Sequence, residues 1–363
     1  MMTDRNVAAE LAEMTHQRRM FALKRTKQQE EADSWKAKLE AIHIKDDDWQ
    51  YVQRKLNRFT AHAGVSNAEG RCLVINGKSG AGKSHIIKRY MNRPDLQPGE
   101  DEHGPLRPLI YIEMPPACTN KFLASKVHQA ETGDLLNSKI SVPESWDQAL
   151  AQVYGQCTSF MIIDEVHHAM STIAQRTEMM NTIKSLLFPE REKASLRRPR
   201  YPLQIILAGI PAIAKVIQTD TQLSERAEFY SIKPLPETMS GRGKMAKFLS
   251  LVEGQLGFSK PSNLSTEDMV LRMMRATEGY TGRAMRLIKS AAFRTIDEGG
   301  VSLSREALGE AVSDMHDLGP AANPFLVADP FKVAVIRAKD RGELTFLRGN
   351  KKAEKEVEVR DED

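Results

Sequence analysis

The chain has 363 residues and three cysteines, and its 52 basic and 48 acidic side chains give a formal net charge of +4. At roughly 150 residues per domain that length makes about two units, so a core forms without disulfide or metal staples. A 41% hydrophobic content with 28% charged residues excludes a wholly disordered chain, and +4 is too small to argue nucleic-acid binding by itself.

Cys72, Cys118 and Cys157 form no CxxC pair. They read as core or near-core thiols of a reducing compartment rather than as a zinc knuckle or a disulfide framework. The first residues are charged where a secretory leader needs a continuous apolar stretch, and no run reaches the 18 apolar residues of a membrane span. An intracellular protein is expected.

In chain order, residues 1–34 read as a flexible arm. Over 35–62 the pattern sharpens: Trp49, Val52, Leu56 and Phe59 recur at three- and four-residue spacing behind the acidic run Asp46 to Asp48. That spacing predicts an amphipathic helix with Trp49 and Phe59 on its buried side. The apolar run RCLVING at 71–77 follows, then further runs at 109–112, 160–163, 203–208 and 229–232. Helical stretches at 119–131, 146–154, 171–187 and 211–218 separate them. Short strands alternating with helices predict an α/β fold with a mostly parallel sheet covered on both faces.

Two stretches interrupt this rhythm. Pro94, Pro98, Gly99, Gly104 and Pro105 make 93–107 an exposed loop, and 189–202 is a basic surface loop carrying Arg197, Arg198 and Arg200. Beyond Pro234 the pattern is helical, over 243–256, 266–277, 282–297 and 304–315, the last capped by Ser304. The expected domains are the arm at 1–34, the α/β domain with its leading helix at 35–234 and a helical lid at 235–318. An extension at 319–363, partly disordered, completes the chain, with a candidate strand at 333–336.

GKSGAGKS at 77–84 matches G-x-x-x-x-G-K-[ST] and stands between a predicted strand and a predicted helix. Gly77, Lys78, Ser79, Gly80, Ala81 and Gly82 can curl so that successive amides face phosphate oxygens, with the helix amino terminus behind them. Lys83 reaches the β and γ phosphates of ATP and Ser84 supplies a hydroxyl to Mg2+. In FMIIDEVHH at 160–168, Asp164 closes a buried strand and can hold the magnesium hydration shell. Glu165, one residue on, can activate water against the γ phosphate. His167 and His168 lack a companion ligand cluster in the sequence and are not read as metal ligands.

These two motifs, with YIEMPP at 111–116, LAGIPAIAKVIQTDTQLSERAEF at 207–229 and ATEGYTGRAMRLIKSAA at 276–292, resemble the AAA+ ATPases that regulate DNA transposition. The likeness is to the TniB group, akin to the TnsC proteins of Tn7-like elements and more distantly to MuB and IstB. It implies an AAA+ P-loop NTPase with a five-stranded mostly parallel sheet and a C-terminal all-helical lid.

By matching position the resemblance makes Arg226 an arginine finger offered to a neighbouring subunit. Arg283 is a sensor arginine, with Arg286 one turn along in reserve. Thr119, Lys121 and Lys126 become candidates for backbone contacts to double-stranded DNA. Where relatives often carry a polar residue after the glycine ending the fourth core strand, this chain has Ile210, so slow hydrolysis is expected.

The implied function is a cytoplasmic, nucleoid-associated bacterial regulator that forms a ring or helical filament on DNA. It marks a target for a DDE transposase of the TniA or TnsB kind, together with a TniQ-type targeting protein. Two rival readings share the ATP site: a loader for a replicative helicase or initiator, and a DNA scaffold that binds ATP and scarcely hydrolyses it.

Overall fold

The computed structural model describes residues 26–63, 70–116, 118–187 and 203–337. These divide into two compact units. Lys45–Pro234 with Tyr280–Arg283 and 336–337 form the first; 26–44, Leu235–Gly279 and Ala284–Val335 form the second.

The first unit is built on strands β1 (Cys72–Asn76), β4 (Leu109–Glu113), β5 (Phe160–Asp164), β6 (Gln204–Gly209) and β7 (Ala227–Ser231), in the order β4-β5-β6-β1-β7. Every pairing is parallel, with Asn76 beside Gly209 and Ser231, and Glu113 beside Asp164. Successive residues of a strand face opposite sides. Val74, Met161, Ile163, Ile205 and Leu207 therefore enter one core, and Leu73, Ile75, Ile162, Ile206 and Ala208 the other.

Helices fill both cores, which is why the strands read as continuous apolar runs. α2 (Asp47–Ala63) and α3 (Lys83–Met91) cover one face through Val52, Leu56, Phe59, Ile86 and Ile87. α4 (Asn120–Thr132), α5 (Val142–Gly155), α6 (Ile173–Leu187), α7 (Pro211–Thr219) and α8 (Thr221–Arg226) cover the other. Asp46 starts α2 by accepting the Trp49 amide at 2.8 Å. The α/β class, the five parallel strands and the helix-rich carboxyl-terminal region agree with the sequence reading.

In the second unit lie α1 (Lys27–Ala41), α9 (Met239–Leu256), α10 (Glu267–Thr277), the continuation of α11 (Thr281–Asp297) and α12 (Arg305–His316). Ser304 caps α12 as expected, accepting the Ala307 amide. Trp35 donates its indole N–H to the Leu256 carbonyl at 2.7 Å. Arg272, 2% exposed, donates to the carbonyls of Pro324, Val327 and Ala328 and pairs with Asp268. One buried guanidinium thus replaces a strand partner for this irregular stretch.

Several local expectations are corrected. The helix expected behind Asp46–Asp48 forms as α2, but a separate helix, α1, begins at Lys27 within the stretch read as a flexible arm and runs to Ala41. Residues 93–107 hold a 3-10 turn and a hairpin of β2 (Gly99–Asp101) with β3 (Gly104–Leu106) rather than a plain loop. Pro105 is tolerated because this ribbon has two strands, each with an unpaired edge. No strand forms at 333–336: Arg275 takes the carbonyls of Phe331 and Val333, so no ladder claims them. Cys72 and Cys118 are buried, but Cys157 is exposed. Residues 1–25, the basic run with Arg197, Arg198 and Arg200, and 338–363 lie outside the described residues.

Candidate nucleotide site

The chain runs from β1 out to the β4 edge, returns through β5 and β6, and then places β7 on the far side of β1. Strand order reverses beside β1, and in such sheets ligands bind beyond the carboxyl ends of the strands at that point. The segment 77–82 leaves β1 there. Gly80 and Gly82 have φ of +76° and +106°, the left-handed region that costs other residues energy. α3 begins at Lys83 with no side-chain cap, so its first amides are placed for an anion.

Lys83 is 4% exposed, its ammonium donating to the Gly77 carbonyl at 2.9 Å and the Lys78 carbonyl at 3.3 Å. A buried cation folded over a glycine-formed cradle fits a polyphosphate. Gly282, near the start of α11, closes over the same loop: a Cβ built on it would lie 2.5 Å from the Gly80 carbonyl oxygen and 2.7 Å from the Gly82 nitrogen. Beside it, Arg283 donates through Nε and Nη2 to the Ser79 carbonyl at 3.0 and 2.9 Å, its guanidinium 4.6 Å above the Tyr280 ring. The structure therefore brings Arg283 to the phosphate loop, while Arg286 is exposed.

At the end of β5, Asp164 is fully buried and both its oxygens are engaged. Oδ1 accepts the Glu165 amide at 2.9 Å and Oδ2 accepts the Tyr111 hydroxyl from β4 at 2.8 Å. Burial and the Asp164 charge push the Tyr111 phenol up, so it stays a donor. Such a carboxylate, on the same edge of the sheet as Ser84, suits the hydration shell of a hard cation.

Glu165 takes a left-handed conformation, φ 53°, and starts the 3-10 turn Val166–Ala169. Its Oε2 lies 3.2 Å from His167 Nδ1, and Glu165, His167 and His168 present donor atoms within 4.8 Å of one another. The histidines thus have the acidic companion that their spacing in the sequence did not reveal. His168 lies against His167 with the two rings tilted by 36°, and burial holds its pKa below the usual histidine value. Ile210 is buried at the end of β6 and brings no polar atom.

Arg226 ends α8 immediately before β7, its Nη1 3.5 Å from the Gln222 carbonyl of the same helix. Ala227 pairs in register with Cys72, so Arg226 stands at the amino ends of the strands. The Gly77 loop leaves the carboxyl end about 16 Å away along β1, five residues at roughly 3.3 Å each. Arg226 is thus remote from its own chain's loop.

A family profile described as "Bacterial TniB protein" matches residues 41–236, more than half of the chain. The chain belongs to the TniB family. No curated protein matches it. Solved structures with a similar fold include the ORC2 protein of Aeropyrum pernix in ADPNP–ADP complexes. It is 16% identical over 77% of this chain and 72% of that one, with a TM-score of 0.51. Cdc6p from Pyrobaculum aerophilum is 12% identical over 71% and 65%, with a TM-score of 0.50. These likenesses speak to fold alone. TniB membership places the chain among AAA+ NTPases and implies the capacity to bind ATP with magnesium.

The candidate DNA residues of this TniB chain lie at the start of α4. Thr119 caps the helix by accepting the Phe122 amide at 3.2 Å. Lys121 donates to the Ser138 and Ile140 carbonyls at 2.8 and 2.5 Å, and Lys126 donates to Gln129 at 2.8 Å over the Phe122 ring. Both ammonium groups already have protein acceptors, which the sequence did not indicate.

Tyr111 and Gly282 were not singled out from the sequence, and His167 was weighed there only as a metal ligand. Tyr111 lies within the quoted YIEMPP run, but its contact depends on the register of β4 against β5. Y111F deprives a buried carboxylate of a donor and is expected to lower stability by about 1–3 kcal/mol. Urea unfolding with an unchanged m-value would measure it; a midpoint equal to wild type would dismiss the contact.

Proposed function

We propose that this TniB-family chain is an ATPase that assembles with ATP on double-stranded DNA, as a ring or helical filament in the bacterial cytoplasm. There it marks a target for a DDE transposase of the TniA or TnsB kind, with a TniQ-type protein as a further partner. The observation that carries the reading is the division of the hydrolytic groups between the two ends of one sheet. The phosphate loop, Asp164 and Glu165 stand at the carboxyl ends and Arg226 at the amino ends. Such a chain needs a second copy to complete its site, so nucleotide and assembly are linked.

Lys83 and the amides of 77–84 bind the phosphates, and Arg283 closes over the loop. Ser84 and Asp164 would hold magnesium, which would supply charge stabilisation to the phosphoryl oxygens. Glu165 takes the proton of the attacking water, while Arg226 of one copy meets the γ phosphate held by another.

A non-hydrolysing scaffold is the second reading, favoured by the buried aliphatic Ile210. A loader of helicase or initiator type shares the fold but has no residue in its favour. Capture of a purified DDE transposase, and not of a replicative helicase, by the ATP- and DNA-bound protein tests the assignment.

Binding to unrelated duplexes is expected to be of similar strength and steeply salt dependent, because α4 offers lysines and a helix start rather than base-reading groups. If the remaining Lys121 donor meets a phosphate, K121A lowers the salt slope by about one unit on every duplex. Fluorescence anisotropy with ATP, on short and long duplexes, reads both. An unchanged slope on both lengths removes Lys121 from the interface.

A further inference from the structure

We propose that His167 is a positioning residue for hydrolysis, its imidazole holding the Glu165 carboxylate at the strand edge where residue 210 offers no polar atom. The inference rests on Glu165 as the base of the ATPase reading and adds to it the group that orients that base.

The backbone fixes both partners. Glu165 is held at φ 53°, and the turn after it is closed by the His168 amide on the Glu165 carbonyl at 3.0 Å and the Met170 amide on the His167 carbonyl at 3.1 Å. Within that turn His167 is 7% exposed, so its ring has little room to rotate. Its Nδ1 stands 3.2 Å from Glu165 Oε2, off the line of a hydrogen bond, so the ring meets the carboxylate as a close polar contact rather than as an N–H···O bond. The His168 ring lies against it, centres 4.2 Å apart, which further limits ring motion.

The same imidazole sits against the end of β6. A Cβ built on Gly209 would lie 3.6 Å from His167 Nδ1 and 3.5 Å from Val166 Cγ1. The next residue, Ile210, turns into the apolar core with Val166 and Ile213. The strand end therefore has its polar group from the turn after β5 rather than from its own next residue. An acceptor for a water proton is efficient only when held in reach of it, and a side chain confined by burial supplies that constraint.

The test uses full-length protein with Mg-ATP and duplex DNA, measuring kcat, KM and nucleotide affinity for H167A, H167N, H167Q and E165Q. H167A is expected to lose about 10–100-fold in kcat while KM and nucleotide affinity stay at wild-type values. The amide of H167N falls where Nδ1 was and recovers most of the loss; that of H167Q falls where Nε2 was and does not. H167A added to E165Q costs nothing further, because His167 acts through Glu165.

Wild-type kcat in a folded H167A protein overturns the proposal, as does equal kcat for H167N and H167Q. Where H167A melts early, the asparagine–glutamine pair decides by itself, since both are polar amides. The underlying reading fails separately: E165Q with undiminished turnover removes Glu165 as base, whereas an inactive E165Q beside fully active His167 variants removes only His167.

Discussion

Mixing two inactive variants, E165Q and R226A, is expected to restore ATP turnover that neither has alone. E165Q keeps nucleotide binding and DNA-bound assembly, because the amide preserves the shape of the carboxylate, but it accepts no proton. A loss of about 100- to 10,000-fold in kcat is the usual range for removing such a base. R226A should lose at least as much, since arginine fingers supply about 1,000- to 100,000-fold.

Rescue follows from the sheet. Arg226 precedes the first residue of β7, beside the amino end of β1, and Gly77 follows the last residue of β1. The two are separated by the length of the strand, so a finger at Arg226 would have to act on a neighbour's site. In a mixed assembly some interfaces pair an intact Glu165 with an intact Arg226. With equal mixing, about one interface in four has both, and activity should rise toward that fraction. No rescue, in samples whose mixed assembly is demonstrated by labelled subunits, would falsify a finger supplied between subunits.

Nucleotide affinity should fall by about 100-fold in K83A, with the fold retained. Lys83 is a buried ammonium at the first turn of α3, and its acceptors are carbonyls of its own loop. Phosphate oxygens are better acceptors, and charge-assisted hydrogen bonds contribute about 1.5–3 kcal/mol each. Losing roughly 3 kcal/mol corresponds to about two decades in Kd. Alanine removes a charge that is costly to bury and leaves the apolar contacts of Ile86 and Ile87 in place. Labelled-nucleotide titration with circular dichroism separates the effects; wild-type affinity in folded K83A would end the phosphate-loop assignment.

The extent to which this molecule is readable from its sequence follows the distance over which each feature is determined. The phosphate loop is contained in eight consecutive residues whose types dictate its backbone, and the structure places them between a strand and a helix. Core strands are legible because burial on both faces forces continuous apolar runs, as in FMII and QIILAG. The hairpin at 99–106 was hidden because its proline and glycines signal a turn without showing that flanking residues pair. The Val333 region failed the opposite way: its β-branched residues suit a strand, but Arg275 holds the carbonyls a ladder needs.

By itself the sequence determined the α/β alternation, the five core strands, the phosphate loop and the Asp164–Glu165 pair. Each depends on hydrophobic period or on neighbouring residues. Only the tertiary structure decided that Tyr111 holds Asp164, that His167 stands against Glu165 and Gly209, and that Gly282 and Arg283 lie on the phosphate loop. It also decided that Arg226 is remote from that loop. Those relations join segments of different strands and helices, and the register of parallel strands is fixed by packing across the whole sheet, which no local run of residues encodes.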